Sequence, residues 1–70
     1  MRREEILKFI KEYACREGIL PTYREIGDGV GLKSVATVFA HMARLAGEGE
    51  IEWIGKRYRV KGLRYESDMG

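Results

Sequence analysis

A chain of 70 residues, 44% apolar and 34% charged, holds material for one small folded domain and is too apolar to stay disordered. A domain of this size buries only about 60% of the surface its unfolded chain exposes, which excludes a sizeable core combined with a deep enclosed active site. The net charge of +2 is too small to name a partner by itself, and no apolar run approaches the ~20 residues that a bilayer span requires.

The N-terminal stretch keeps its acids and reads as an amphipathic helix, not a signal peptide. Cys15 is the single cysteine, so no internal disulfide can form and no second thiol is present for a metal site. Both features lead to the expectation of a cytoplasmic protein.

The first helix is predicted over residues 3–17, with Ile6, Phe9, Ile10, Tyr13 and Ala14 on one face and Gly18 as its stop. Cys15 falls on the opposite, polar face with Lys8 and Lys11, which predicts an exposed thiol. Pro21 then punctuates. Thr22 followed three residues later by Glu25 has the spacing of a capping box. It should open a short helix over residues 23–30, with Tyr23, Ile26, Gly27 and Val30 inward. Gly27 is a poor helix former, and its presence predicts that another helix backbone crosses close by. Gly31 can take positive φ and end the helix.

Ser34 is a good N-cap for a third helix that runs to about residue 46. Its core stripe is Val38, Met42 and Leu45, flanked by Val35 and Ala46. The reverse face carries Ala36, Thr37, Ala40, His41 and Arg44. Phe39 lies at the border, either as a core-edge aromatic or as an apolar contact on the outer face. Residues 51–54 and 61–65 read as two short β-strands joined by a basic loop over residues 55–60. Residues 66–70 are expected to form a flexible tail. The fold class is thus mainly α with a small β-hairpin, a three-helix winged helix-turn-helix over residues 1–65.

Charge is unevenly spread. Residues 1–28 hold six bases and six acids, whereas residues 53–65 hold five bases and no acid. The segment from Gly31 to Leu45 also lacks Asp and Glu, although the chain has 11 acids. A helix that enters the DNA major groove, about 12 Å wide, needs small side chains and no carboxylates to repel phosphate. Ser34 and Thr37 can hydrogen-bond base edges, and Ala36 and Ala40 can touch thymine methyl groups. Arg44, farther along, and Lys33 are placed for phosphates, as are Lys56, Arg57 and Arg59 of the basic loop. The N–H groups at the start of the helix also favour a nearby phosphate.

Catalysis and metal binding find no support. His41 is the only histidine, with no Cys, Asp or Glu at ligand spacing. The two serines, Ser34 and Ser67, sit at a cap and in the tail. No enzymatic activity and no cofactor are expected.

One resemblance covers about 60 of the 70 residues. The segment LPTYREIGDGVGLKSVATVFAHMARLAGEGEIEWI resembles the N-terminal DNA-binding domain of the LexA repressor family. Pro21, Thr22, Arg24, Glu25, Ile26, Gly31, Leu32, Ser34, Thr37, Val38, His41, Leu45, Gly49 and Ile51 match its pattern, and Met42 stands where leucine is usual. The resemblance implies a transcriptional repressor that reads palindromic operators in double-stranded DNA, with the third helix in the major groove. By position it implies that Ser34, Ala36, Thr37, Phe39 and Ala40 face the bases. Family members often carry polar residues at positions 36 and 39, so with Ala36 and Phe39 the resemblance does not carry over the family's usual operator. The family's dimerising, self-cleaving domain has no counterpart within these residues, and self-cleavage is not expected of them.

Two other readings stay open. One is a winged-helix protein-interaction module using Phe39, Trp53 and Tyr58. The other is a non-specific nucleic-acid binder acting through the wing. With little apolar surface expected to remain outside the core, a monomer that pairs only on DNA is predicted, with no membrane partner.

Overall fold

The computed structural model describes residues 2–55 and 57–63, with Arg2 described by its backbone alone. The chain runs through three helices and a hairpin: α1 (Arg2–Glu17), α2 (Tyr23–Val30), α3 (Val35–Gly47), β1 (Ile51–Ile54) and β2 (Arg57–Val60).

Local signals set the helix ends. Glu4 and Glu5 lie in the first turn of α1 and Arg16 in its last, matching the helix dipole. Gly18 takes φ +79° and donates its N–H to the Ala14 carbonyl at 2.8 Å. The capping box opens α2: the Glu25 N–H donates to Thr22 Oγ1 at 3.1 Å, and the Thr22 N–H donates to Glu25 Oε1 at 2.8 Å. Gly31 closes α2 in the left-handed region at φ 81°. The Ser34 hydroxyl caps α3 by accepting the Thr37 N–H at 3.4 Å.

The core is one cluster. Ile6 and Ile10 of α1, Ile26 of α2, and Val38, Met42 and Leu45 of α3 are fully buried, and Ile51, Tyr58 and Val60 close it from the hairpin. The predicted stripes of α1 and α3 therefore do face inward. Val35 departs from expectation: it is 44% exposed rather than flanking the core. The crowding at Gly27 also has another source. A Cβ there would meet the Leu32 carbonyl oxygen of the turn at 2.7 Å and Val38 Cγ2 at 3.2 Å. The turn and one α3 side chain press on α2, not a crossing helix backbone.

The hairpin corrects the predicted strands. β1 pairs antiparallel with β2 in the register Ile51↔Val60, Glu52↔Arg59, Trp53↔Tyr58 and Ile54↔Arg57, so only two positions, 55 and 56, separate the strands in sequence. Gly55 takes φ +61°, which suits a two-residue hairpin turn. The expected basic loop is therefore mostly strand: Arg57 and Arg59 alternate with inward Tyr58 and Val60. Of the strand expected at 61–65, the described residues 61–63 form none, because Lys61 and Gly62 turn, Gly62 has φ +76°, and the Leu63 N–H returns to the Val60 carbonyl at 3.2 Å. Residues 64 and 65, and the expected tail 66–70, lie outside the described residues.

Candidate nucleic-acid interface

The outer side of α3 is built from residues that the core does not use. With Val38, Met42 and Leu45 turned inward, Ala36, Thr37, Ala40 and Arg44 are exposed on the reverse face. Ser34 and Lys33 are exposed just before the helix. His41 is half-buried at its flank. No Asp or Glu occurs between Val35 and Gly47. The fold thus brings Ser34, Ala36, Thr37 and Ala40 together as one small-residue face.

Phe39 joins this face at its edge and is 51% exposed. Its ring stacks on Trp53 of β1, with centroids 5.6 Å apart and planes 29° apart. Tyr23 of α2 contacts both rings, at 6.0 Å from Phe39 and 6.4 Å from Trp53, and lies 6.0 Å from Tyr58. Burial raises the Tyr23 hydroxyl above its ordinary pKa. The Tyr58 hydroxyl donates a buried hydrogen bond of 2.7 Å to the Pro21 carbonyl, tying the hairpin to the entrance of α2. Phe39 is therefore neither a core residue nor a free surface ring, but the exposed end of an anchored aromatic cluster.

The cations differ in availability. Lys33, Arg44 and Arg57 make no ion pair among the described residues, whereas Arg59 contacts Glu52 across the hairpin at 3.2 Å. An exposed pair of that kind is worth little energetically and can open to a stronger partner. Lys56 lies outside the described residues. Arg57 and Arg59 point to the hairpin face away from the core, because Tyr58 and Val60 take the inward positions.

One residue was not singled out as a contact by sequence reasoning. Arg24 is exposed in the first turn of α2 and lines, with Lys33 and Asp28, an open groove between α2 and the start of α3. Trp53, named in sequence only for a protein-interaction patch, is 38% exposed although it points inward from the hairpin. The signal for Arg24 is its place two residues after the Thr22 cap. For Trp53 no local signal exists, since its partner Phe39 is fourteen positions away.

No group of three or more His, Cys, Asp or Glu among the described residues could hold a metal ion, and no described helix is long and apolar enough to cross a membrane. Cys15 is a free, exposed thiol on α1.

The geometry agrees with similarity to known proteins. Residues 1–60 match the family described as the LexA DNA binding domain. A LexA repressor from Bacillus licheniformis is 52% identical over 50 residues, covering 71% of this chain and 24% of that repressor. Those from Shouchella clausii and Geobacillus thermodenitrificans are 50% and 48% identical over the same length, with the same coverage. The chain thus spans about a quarter of the length of these relatives. A match over most of the chain, on a fold of three helices and a hairpin, shows that it belongs to the LexA DNA binding domain family.

Proposed function

We propose that this domain binds double-stranded DNA sequence-specifically, as the operator-reading part of a LexA-like transcriptional repressor acting in the cytoplasm. The observation that carries the reading is the outer face of α3: small, exposed and without an acid, next to Lys33 and Arg44, which make no ion pair among the described residues. Ser34, Ala36, Thr37, Phe39 and Ala40 would meet base edges in the major groove. Lys33, Arg44, Arg57, Arg59 and Lys56 would meet phosphates, which position the domain without reading sequence. Arg24 extends the phosphate track along α2. A palindromic operator would be occupied by two copies that pair on the DNA.

Selection of bound duplexes from a random pool supplies the site, and salt titration against that site and a scrambled duplex tests the reading. A specific binder keeps a gap of roughly 10³-fold or more between the two. Thr37→Ala is expected to cost ~1–3 kcal/mol on the selected site and far less on scrambled DNA. Equal, steeply salt-dependent binding to both duplexes would reassign the domain as a non-specific binder. The exposed Phe39–Trp53 pair favours one further reading, a protein-interaction module, which predicts no duplex selection at all.

A further inference from the structure

The aromatic cluster leaves its two outer rings partly in water. Phe39 is 51% exposed and Trp53 38% exposed, while Tyr23 behind them is half-buried. Val35, one turn before Phe39 on the same side of α3, is 44% exposed. Large apolar groups gathered in one place on a small domain mark a contact surface. The location narrows what the surface touches. The pair borders the small-residue face of α3, and no carboxylate of α3 lies beside it. A partner reaching this edge therefore presents an apolar group within a negatively charged surround. Among the groups displayed in the major groove, the C5-methyl of thymine fits that description.

Resting on the proposed reading of α3 as the groove-entering helix, we infer that Phe39 reads a thymine methyl group and that Trp53 is a positioning residue that holds the Phe39 ring for it. The stack at 5.6 Å, backed by Tyr23, restricts the ring before DNA arrives. A ring already held in place loses little rotamer freedom on binding, so more of the methyl contact appears as affinity. Ala36 and Ala40 also face the bases, but each offers a single methyl group and has no ring to back it. The specificity of this chain is then carried by shape and apolar contact where a polar side chain would use hydrogen bonds.

The test uses the duplex selected from the random pool. Each thymine is replaced in turn by deoxyuridine, which differs only by the missing methyl, and affinity is read by anisotropy of labelled DNA. One position per half-site should lose about fourfold, the worth of one buried methyl-sized group. Phe39→Ala should bind the thymine and uracil duplexes equally at that position. Trp53→Ala should shrink the discrimination and Trp53→Phe should restore it, with thermal melts confirming that each variant folds. Phe39→Leu serves as the second reader variant should the alanine variant unfold; it keeps an apolar tip but cannot stack, and should show reduced discrimination. If no thymine is methyl-sensitive, or if the sensitivity survives in Phe39→Ala, the inference fails. Unchanged discrimination in Trp53→Ala removes the positioning role. Equal affinity for the single strand would assign the rings to base stacking and overturn the methyl contact. Absence of any selected duplex would instead defeat the underlying DNA-binding reading, so the two failures are distinguishable.

Discussion

Single glycines in this chain have opposite constraints. A methyl at Gly27 would lie 2.7 Å from the Leu32 carbonyl oxygen, and the Gly27 carbonyl itself accepts the Leu32 N–H at 2.8 Å. The turn cannot retreat without loosening the bond that holds it. Gly27→Ala should therefore destabilise by about 1–3 kcal/mol through overpacking, outweighing a helix-propensity gain of at most ~1 kcal/mol. Gly47 also lies in a helix but faces open space, so Gly47→Ala should stabilise by about 0.5 kcal/mol. Urea denaturation of both variants checks the pair; equal signs would contradict the packing argument. Glu25 sets a second residue-scale expectation. Its carboxyl is held below the ordinary value of 4.5, first by the Thr22 backbone N–H and then by the Tyr13 hydroxyl at 3.1 Å. A lowered folded-state value means that ionised Glu25 stabilises the fold at neutral pH. That contribution is lost as pH falls below 4.5 toward the lowered value. Glu25→Gln should remove this part of the acid sensitivity, so the stability gap between the two proteins should narrow on acidification.

At the scale of elements, the hairpin divides its two faces between different tasks. Ile51, Tyr58 and Val60 close the core, and Trp53 extends the same face to support Phe39. Glu52, Ile54, Arg57 and Arg59 occupy the other face. Of the two described arginines, only Arg59 is engaged, with Glu52 at 3.2 Å. Arg57 is therefore free to meet phosphate directly, while Arg59 must first leave its partner. Arg57→Ala should lower the slope of log affinity against log salt by about 1 and weaken all duplexes alike. Arg59→Ala should change the slope less. Titrations from low to moderate salt on the selected and scrambled sites separate the two; an unchanged slope in Arg57→Ala would take the wing off the phosphate backbone.

The whole molecule is small enough for area to limit its assembly. An obligate dimer buries ~2,000 Å² or more in total, about 1,000 Å² from each partner. That is roughly a fifth of the 5039 Å² accessible surface. The structure leaves more apolar surface open than the sequence implied, since Trp53 and Ile54 are exposed along with Val35 and Phe39. Even so, the patch around Val35, Phe39 and Trp53 amounts to three partly covered side chains, well short of that area. A monomer at micromolar concentration is expected, and sedimentation equilibrium without DNA decides it. Two domains joined covalently should bind a two-half-site duplex at least about 10²-fold tighter than one, through effective concentration alone. A stable dimer that Phe39→Ala dissolves would assign the aromatic edge to a second copy.

The sequence by itself determined the three helices, their caps and most of the core. Helix periodicity, the Thr22–Glu25 box and the Ser34 cap depend on residues within four positions of one another, so their outcome is written locally. The acid-free character of α3 was legible for the same reason: composition along one helix needs no tertiary knowledge. A hairpin and its first strand were legible too, but the place of its second strand was not. Arg57 and Arg59 made RYRV read as loop, although its alternation is that of a strand, because charge on one face hides burial on the other. Only the tertiary structure brought Tyr23, Phe39, Trp53 and Tyr58 together, since they come from four elements and no local rule ties their side chains. It also decided that Val35 and Phe39 face outward, because the space beneath α3 is already filled by Ile6, Ile10 and Ile26 against Val38, Met42 and Leu45.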